Sequence, residues 1–191
     1  MNKWFCYILF FLSAVSTHGQ LLPGSLYGTA GPSYSQTLGD LVSEAGENDS
    51  TIGYESGASE VLISFYLDPG TLTTEAQNCT ANVYRYKVFM HIQNAPTGLV
   101  LEARSFTNGG DRFPASIPYD LLPLIGPRNL YPENGGAYIT LPDDPTAAIK
   151  VFEFVGCRLN IPVQFRVSAS ALSEAGASNT EIYYTVVGSL N

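Results

Sequence analysis

Leu159-Asn160-Ile161-Pro162-Val163-Gln164-Phe165-Arg166-Val167 is the stretch that sets the architecture. Every odd-numbered residue in it is apolar, and every even-numbered one is polar apart from Pro162. A period of two marks a strand with one face on a core and the other in water. Pro162 lacks a backbone donor, so it points to an edge strand or a bulge. The same period recurs upstream. Val61, Ile63, Phe65 and Leu67 alternate with Ser64 and Tyr66 before the turn Asp68-Pro69-Gly70. In the strand expected over Asn82 to Gln93, Tyr84, Tyr86, Val88, Met90 and Ile92 share the core face, while Arg85, Lys87 and His91 share the other. Pro96-Thr97-Gly98 turns the chain into Leu99 to Phe106, and Asn108-Gly109-Gly110-Asp111 turns it again. Ala137 to Leu141, Ile149 to Val155 and Thr180 to Val187 supply three more strands.

Between Phe113 and Asn134 lie Pro114, Pro118, Pro123, Pro127 and Pro132. So many missing donors exclude a central strand and leave a long connection, with one short strand expected near Ile117 to Leu122. No apolar stripe with a 3.6-residue period accompanies these segments, and Ala169 to Ala175 holds a helical turn at most. Seven or eight strands separated by turn residues predict an all-β fold. The natural solution is an antiparallel β-sandwich, immunoglobulin-like in its layering, because two half-apolar sheets must cover each other. A barrel is the alternative.

Outward from this body, the N-terminus has a different texture. Met1-Asn2-Lys3 is short and basic, Trp4 to Val15 is apolar apart from Ser13, and Thr17 and Gly19 place small residues before Gln20. This pattern predicts a signal peptide over 1–19. The run is shorter than the roughly 20 apolar residues that cross a bilayer, and no second candidate follows, so no transmembrane segment is expected after cleavage. Residues 20–58 are rich in Gly, Ser, Thr and Asp, with sparse apolar positions, and predict an extended N-terminal arm with one short strand. Residues 59–191 are the expected β-sandwich domain. The expected location is secreted, extracellular or on the cell surface, with passage through a periplasm in a Gram-negative host.

Removal of residues 1–19 leaves 172 of the 191 residues, enough for one substantial core. Lys3 leaves with the leader, so eight basic residues face seventeen acidic ones, a net charge of −9. Scattered cations on an acidic chain argue against nucleic acid and against charge-driven binding to anionic membranes. Cys6 also leaves with the leader. Cys79 and Cys157 remain, 78 residues apart, and an even pair in an oxidising compartment predicts a disulfide. Two cysteines and the single remaining histidine, His91, are too few for a zinc site. Asn48-Asp49-Ser50 and Asn78-Cys79-Thr80 are glycosylation sequons that matter in a eukaryotic host.

The inventory for catalysis is thin. His91 falls on the charged side of its strand and reads as solvated. No Gly-x-Ser-x-Gly elbow or paired-histidine metal motif is present. Glu102, Asp111, Asp143, Asp144 and Glu153 would serve a two-carboxylate hydrolase only if two of them converged. Asp111 with Asn108, or Asp143 with Asp144, is the most that the sequence offers calcium. The expectation is therefore a non-enzyme with no cofactor and no metal. The only tryptophan, Trp4, lies in the leader. Tyr119, Tyr131 and Tyr138, in or near the Pro-rich connection, are the candidates for an exposed aromatic cluster that binds a ligand. Tyr84 and Tyr86 read as core.

Leu99-Val100-Leu101-Glu102-Ala103-Arg104, the Pro-containing segment Phe113 to Leu122, and the closing pair from Phe165 to Val187 come in an order that resembles secreted bacterial subunits of the pilin and spore-coat-U type. The likeness covers about residues 60–190 and departs from pilins in the wider spacing of Cys79 and Cys157. It implies a pilin-like sandwich, a structural or adhesive role in a surface assembly, self-association or other protein subunits as partners, and an arm from Gln20 that lends a strand to the next copy. The alternative is a secreted module that binds a glycan or another small ligand.

Overall fold

The computed structural model describes residues 24–28, 54–67, 74–121, 128–170, 173 and 176–189, with the backbone alone for 24–28, Glu75 and Tyr119. The expected leader over 1–19, the Asn48 sequon, the turn expected at Asp68-Pro69-Gly70, Pro123 and Pro127 lie outside the described residues. Within them the chain runs β1 (Gly24–Gly28), β2 (Tyr54–Glu55), β3 (Val61–Leu67), α1 (Glu75–Thr80), β4 (Arg85–Gln93), β5 (Leu99–Ser105), β6 (Asp111–Phe113), β7 (Leu130–Pro132), β8 (Ile139–Thr140), β9 (Ile149–Val155), β10 (Cys157–Ala169) and β11 (Glu181–Ser189). All the strand pairings are antiparallel. They form two sheets: β1-β3-β10-β5-β8, with β2 and β6 as further partners of β10, and β11-β4-β9-β7. The fold is an all-β sandwich.

Four of these segments were not expected as they stand. β6 and β7 are three-residue strands that periodicity is too short to show. Ile117 to Leu122, expected to hold a strand, instead carries a 3-10 turn over Pro118–Leu121. Asp120 closes it, its carboxylate accepting from Ile117 N at 3.1 Å and its own N–H donating to Ile117 O. The short helix α1 starts at a capping box. Thr74 Oγ1 accepts from Gln77 N, and Thr74 N donates to Gln77 Oε1. That helix delivers Cys79, fully buried, to its partner.

β9 and β10 belong to different sheets, yet one residue, Gly156, separates them. Its φ of +76° turns the chain through the corner, and its N–H donates to Tyr84 O at 3.0 Å. A side chain there would crowd the following carbonyl, which is why glycine holds the position. β10 then runs through the middle of its sheet, so the edge expected from Pro162 is not observed; the bulge is. The register against β3 slips between Arg158 and Ile161 by one extra residue, and Asn160 sits there at φ +53°. On the opposite side β6 pairs only through Leu159 and β5 begins at Val163. Pro162 falls in that gap, where no cross-strand partner waits for its absent donor.

The bulge also resets the alternation. Beyond it Ile161, Val163, Phe165 and Val167 are buried as expected, but before it Arg158 pairs with the inward residue Phe65 and is itself buried. A one-residue slip exchanges faces because the side-chain period is two. Between the sheets, the Phe65 ring centroid lies 4.3 Å from that of Tyr86 and 5.7 Å from that of Phe154. Tyr86 donates its hydroxyl to Asn82 Oδ1, and Asn82 Nδ2 contacts Cys157 Sγ at 3.4 Å. Cys79 and Cys157 form the expected disulfide. Closing a loop of that length contributes about 4–5 kcal/mol in the chain-entropy model.

Replacing Gly156 by Ala should lower the unfolding free energy by about 1–2 kcal/mol, the cost of a Cβ in the left-handed region. Urea denaturation of the two proteins measures this; an unchanged midpoint contradicts the corner's dependence on glycine.

Candidate functional site

Among the described residues, charged or aromatic side chains gather at three places. On the outer face of the β10 sheet, the register sets Glu55, Arg166, Glu102 and Thr140 in one row, from β2 through β10 and β5 to β8. Gln164 and Arg104 form the next row. Tyr138, just before β8, lies over both arginines, with its ring centroid 4.4 Å from the Arg104 guanidinium carbon and 4.3 Å from that of Arg166. Its hydroxyl donates to Glu55 Oε1 at 2.6 Å. Arg166 pairs with Glu102 at 2.6 Å, and Arg104 donates through Nε and Nη2 to Gln164 Oε1. Burial and the Glu55 carboxylate push the Tyr138 phenol well above its usual range. The Glu102 partner holds Arg166 more firmly protonated than usual. Two cations and two anions thus close on one another around a neutral phenol. The arrangement ties β2 across β10 and β5 to the Tyr138 segment. Each guanidinium on the ring adds about 0.5–1 kcal/mol.

Tyr131 has different company. It lies on β7 in the other sheet, directly opposite Glu153, and is 45% exposed. The Arg85 guanidinium sits 5.6 Å from its ring centroid and pairs with Glu153. Lys150 bridges Glu153 and Glu133 at 3.2 and 2.7 Å. Burial pushes the Glu153 carboxyl up, but Arg85 and Lys150 together bring it below its usual range. Glu133 and Glu153 raise Lys150. The side chain of Tyr119 lies outside the described residues. Tyr131 and Tyr138 therefore lie against opposite sheets, Tyr131 beside Arg85 and Glu153 and Tyr138 beside Arg104, Arg166 and Glu55.

The third gathering, at the β6 end of β10, was not legible as a group. Arg128 and Arg158 are among the largest fully buried side chains. Arg128 donates to both oxygens of Asp120, at 2.7 and 3.0 Å, and to the carbonyls of Phe113 and Pro114. Arg158 donates to the carbonyls of Asn108, Gly109, Gly110 and Arg128 and to Asn108 Oδ1. Burial, with Arg112 and Arg128 nearby, pulls Arg158 down to about 10. Two arginines thus satisfy the carbonyls of a Pro- and Gly-rich connection that makes few ladder bonds. Gly110 permits the approach. It holds φ +76°, and a Cβ there would stand 2.6 Å from Leu159 O.

Apart from the chain neighbours Asp143 and Asp144, the acids named for hydrolysis lie on separate elements. Glu102 and Glu153 sit on different sheets, each with a basic partner. Asp111 accepts from Asn160 Nδ2, and Asp144 caps a 3-10 turn through Thr146, which lowers its pKa. Asn108 Oδ1, the companion considered for a cation, already faces Arg158. Among the described residues no three His, Cys, Asp or Glu side chains lie together to hold a metal. His91 is buried rather than solvated, because the segment from Pro142 folds over β4, with Ile92 N donating to Pro142 O. Its ring stacks on Tyr183 at 5.0 Å, and its Nδ1 finds no hydrogen-bond partner among the described residues. Among the described residues no helix is long and apolar enough to cross a membrane. No family model, curated protein or solved structure matches this chain.

Arg128 holds the Asp120 carboxyl below its ordinary value of 3.8, so this pair's contribution to stability is complete above that pH and is lost as pH falls through the depressed value. Asp120→Asn should leave Arg128 buried without its counter-ion and destabilise the fold by about 3–5 kcal/mol at neutral pH. The variant should also lose less further stability than the wild type in acid. Urea midpoints recorded from neutral pH down to below 3 test both; parallel pH profiles would refute the assignment.

Proposed function

We propose that this chain is an exported, non-enzymatic structural or adhesive subunit of a cell-surface or extracellular assembly. The observation that carries the reading is the position of β1. Five residues of the arm, Gly24 to Gly28, add antiparallel to β3 at the margin of the sheet, from Gly24 opposite Leu67 to Gly28 opposite Ile63. The segment 29–53 separates this strand from β2. A strand that joins a sheet at its edge, well before the next strand in sequence, uses backbone bonds any neighbouring copy offers equally. The leader and the disulfide suit an oxidising exterior, and the closed charge groups around Tyr138 and Arg158 read as clasps rather than reaction centres.

Removing residues 20–53 from the mature protein should bare the edge of β3, lower stability and abolish association mediated by the arm. A synthetic peptide spanning 20–34 should then bind the truncated protein. Light scattering and urea denaturation of both forms decide it. If the two stay monomeric at high concentration and unfold alike, the arm has no assembling role.

A second reading, a secreted module that binds a glycan or another small ligand, is favoured by Tyr131, an exposed ring flanked by Arg85, Glu153, Lys150 and Glu133. On that reading a glycan array should show binding that Tyr131→Ala removes without lowering the melting temperature. An array blank for the wild type counts against it.

A further inference from the structure

β11 is the longest edge strand among the described residues. All nine of its residues pair with β4, from Glu181 opposite Gln93 to Ser189 opposite Arg85, without a register shift. No described strand pairs with its other side. Exposed strand edges are ordinarily blunted by lysine, proline, a bulge or brevity. Glu-Ile-Tyr-Tyr-Thr-Val-Val-Gly-Ser has none of these, and its one charge stands at its first residue. Among the described residues, two of the few large apolar side chains that are exposed lie on it, Tyr183 at 40% and Val187 at 47%.

We propose that this edge is the interface for a second copy of the chain, β11 against β11, antiparallel about a two-fold axis at Thr185. A continuous sheet must keep both outer faces on the same side, and full overlap of Glu181–Ser189 with itself then allows a single register. In it Thr185 meets the partner's Thr185, and Tyr183 meets the partner's Val187, twice by symmetry. Aromatic against β-branched residues are favourable cross-strand pairs. The two exposed apolar side chains are thus spaced to cover each other. On the inner face Tyr184 meets the partner's Val186; Ile182, Tyr184 and Val186 are all only partly covered within one protomer. Tyr183 is already oriented, stacked on His91 and donating its hydroxyl to Glu181 at 2.7 Å. The charges agree as well. Glu181 falls opposite the partner's Ser189, with the partner's Arg85 on the next strand, about 10 Å away between backbones. No like charges face one another across the seam.

This names a partner for the assembly proposed above and rests on that reading, but β1 and β11 lie in different sheets, so the two fail separately. The test uses the mature chain with its arm intact. Sedimentation equilibrium should show a dimer, and Val187→Lys, at a site exposed in the monomer, should raise its Kd at least about tenfold, since each contact is lost twice. Thr185→Cys should cross-link between copies under mild oxidation. Glu181→Cys should not, because the register keeps the two copies of that residue about 27 Å apart. A protein that stays monomeric to millimolar concentration overturns the proposal. So does a dimer that ignores Val187→Lys, or one whose Thr185→Cys form does not cross-link. A dimer that survives Val187→Lys but vanishes on removal of the arm refutes the β11 seam and leaves the arm reading standing.

Discussion

Phe65 reaches from one sheet between Tyr86 and Phe154 of the other, and the remaining architecture depends on that contact. Each ring withdrawn from water contributes about 1.5–3 kcal/mol, and the edge and tilted geometries add about 0.5–1.5 kcal/mol for each pair. Asn82 couples the contact to the covalent link, since it accepts from the Tyr86 hydroxyl and touches Cys157. The neighbourhood thus combines the core's aromatic packing, the disulfide and a satisfied buried amide. Gly156 lies one residue from Cys157 and passes the chain between the two layers. Strands that are distant in sequence become neighbours because of what happens at this end of the sandwich.

From that end the bulge in β10 has consequences in both directions. Beyond it, the apolar side chains face inward and Gln164 and Arg166 stand outward to build the Tyr138 clasp. Before it, the phase is reversed, and Arg158 enters the protein to hold the turn over Asn108 to Gly110. Arg128 does the same for the segment from Phe113 to Asp120. The Pro-rich connection makes few ladder bonds of its own, and buried guanidiniums supply the donors instead. Buried cations need such acceptors, and the carbonyls need such donors, so the two requirements are met together.

The margins of the two sheets are treated unequally. In one sheet, β1 covers β3, and the far margin, β8, is two residues long. In the other, β7 is three residues long, whereas β11 runs for nine. Short margins present little to pair with, and a long regular one presents a complete template. Among the described strands, β11 is therefore the margin that offers the longest run of backbone for pairing.

The sandwich was legible in the residues from Val61 onward, because burial of one face imposes a period of two that survives in any strand long enough to show it. The disulfide followed from the two cysteines that remain once Cys6 is assigned to the expected leader, and the turn over Asn108 to Asp111 from its glycines. What the alternation could not carry was phase. A single inserted residue near Asn160 puts Arg158 in the interior, where unbroken alternation with Asn160, Gln164 and Arg166 would leave it in water, and a loop from Pro142 covers His91, which its own strand would have left exposed. Tyr131 and Tyr138, seven residues apart, were expected to cluster, yet the intervening turn sends them to opposite sheets. Sequence determines which side chains must escape water. Only the tertiary pairing decides which strand lies beside which, and so which charges meet, which ring is shielded and which edge stays bare.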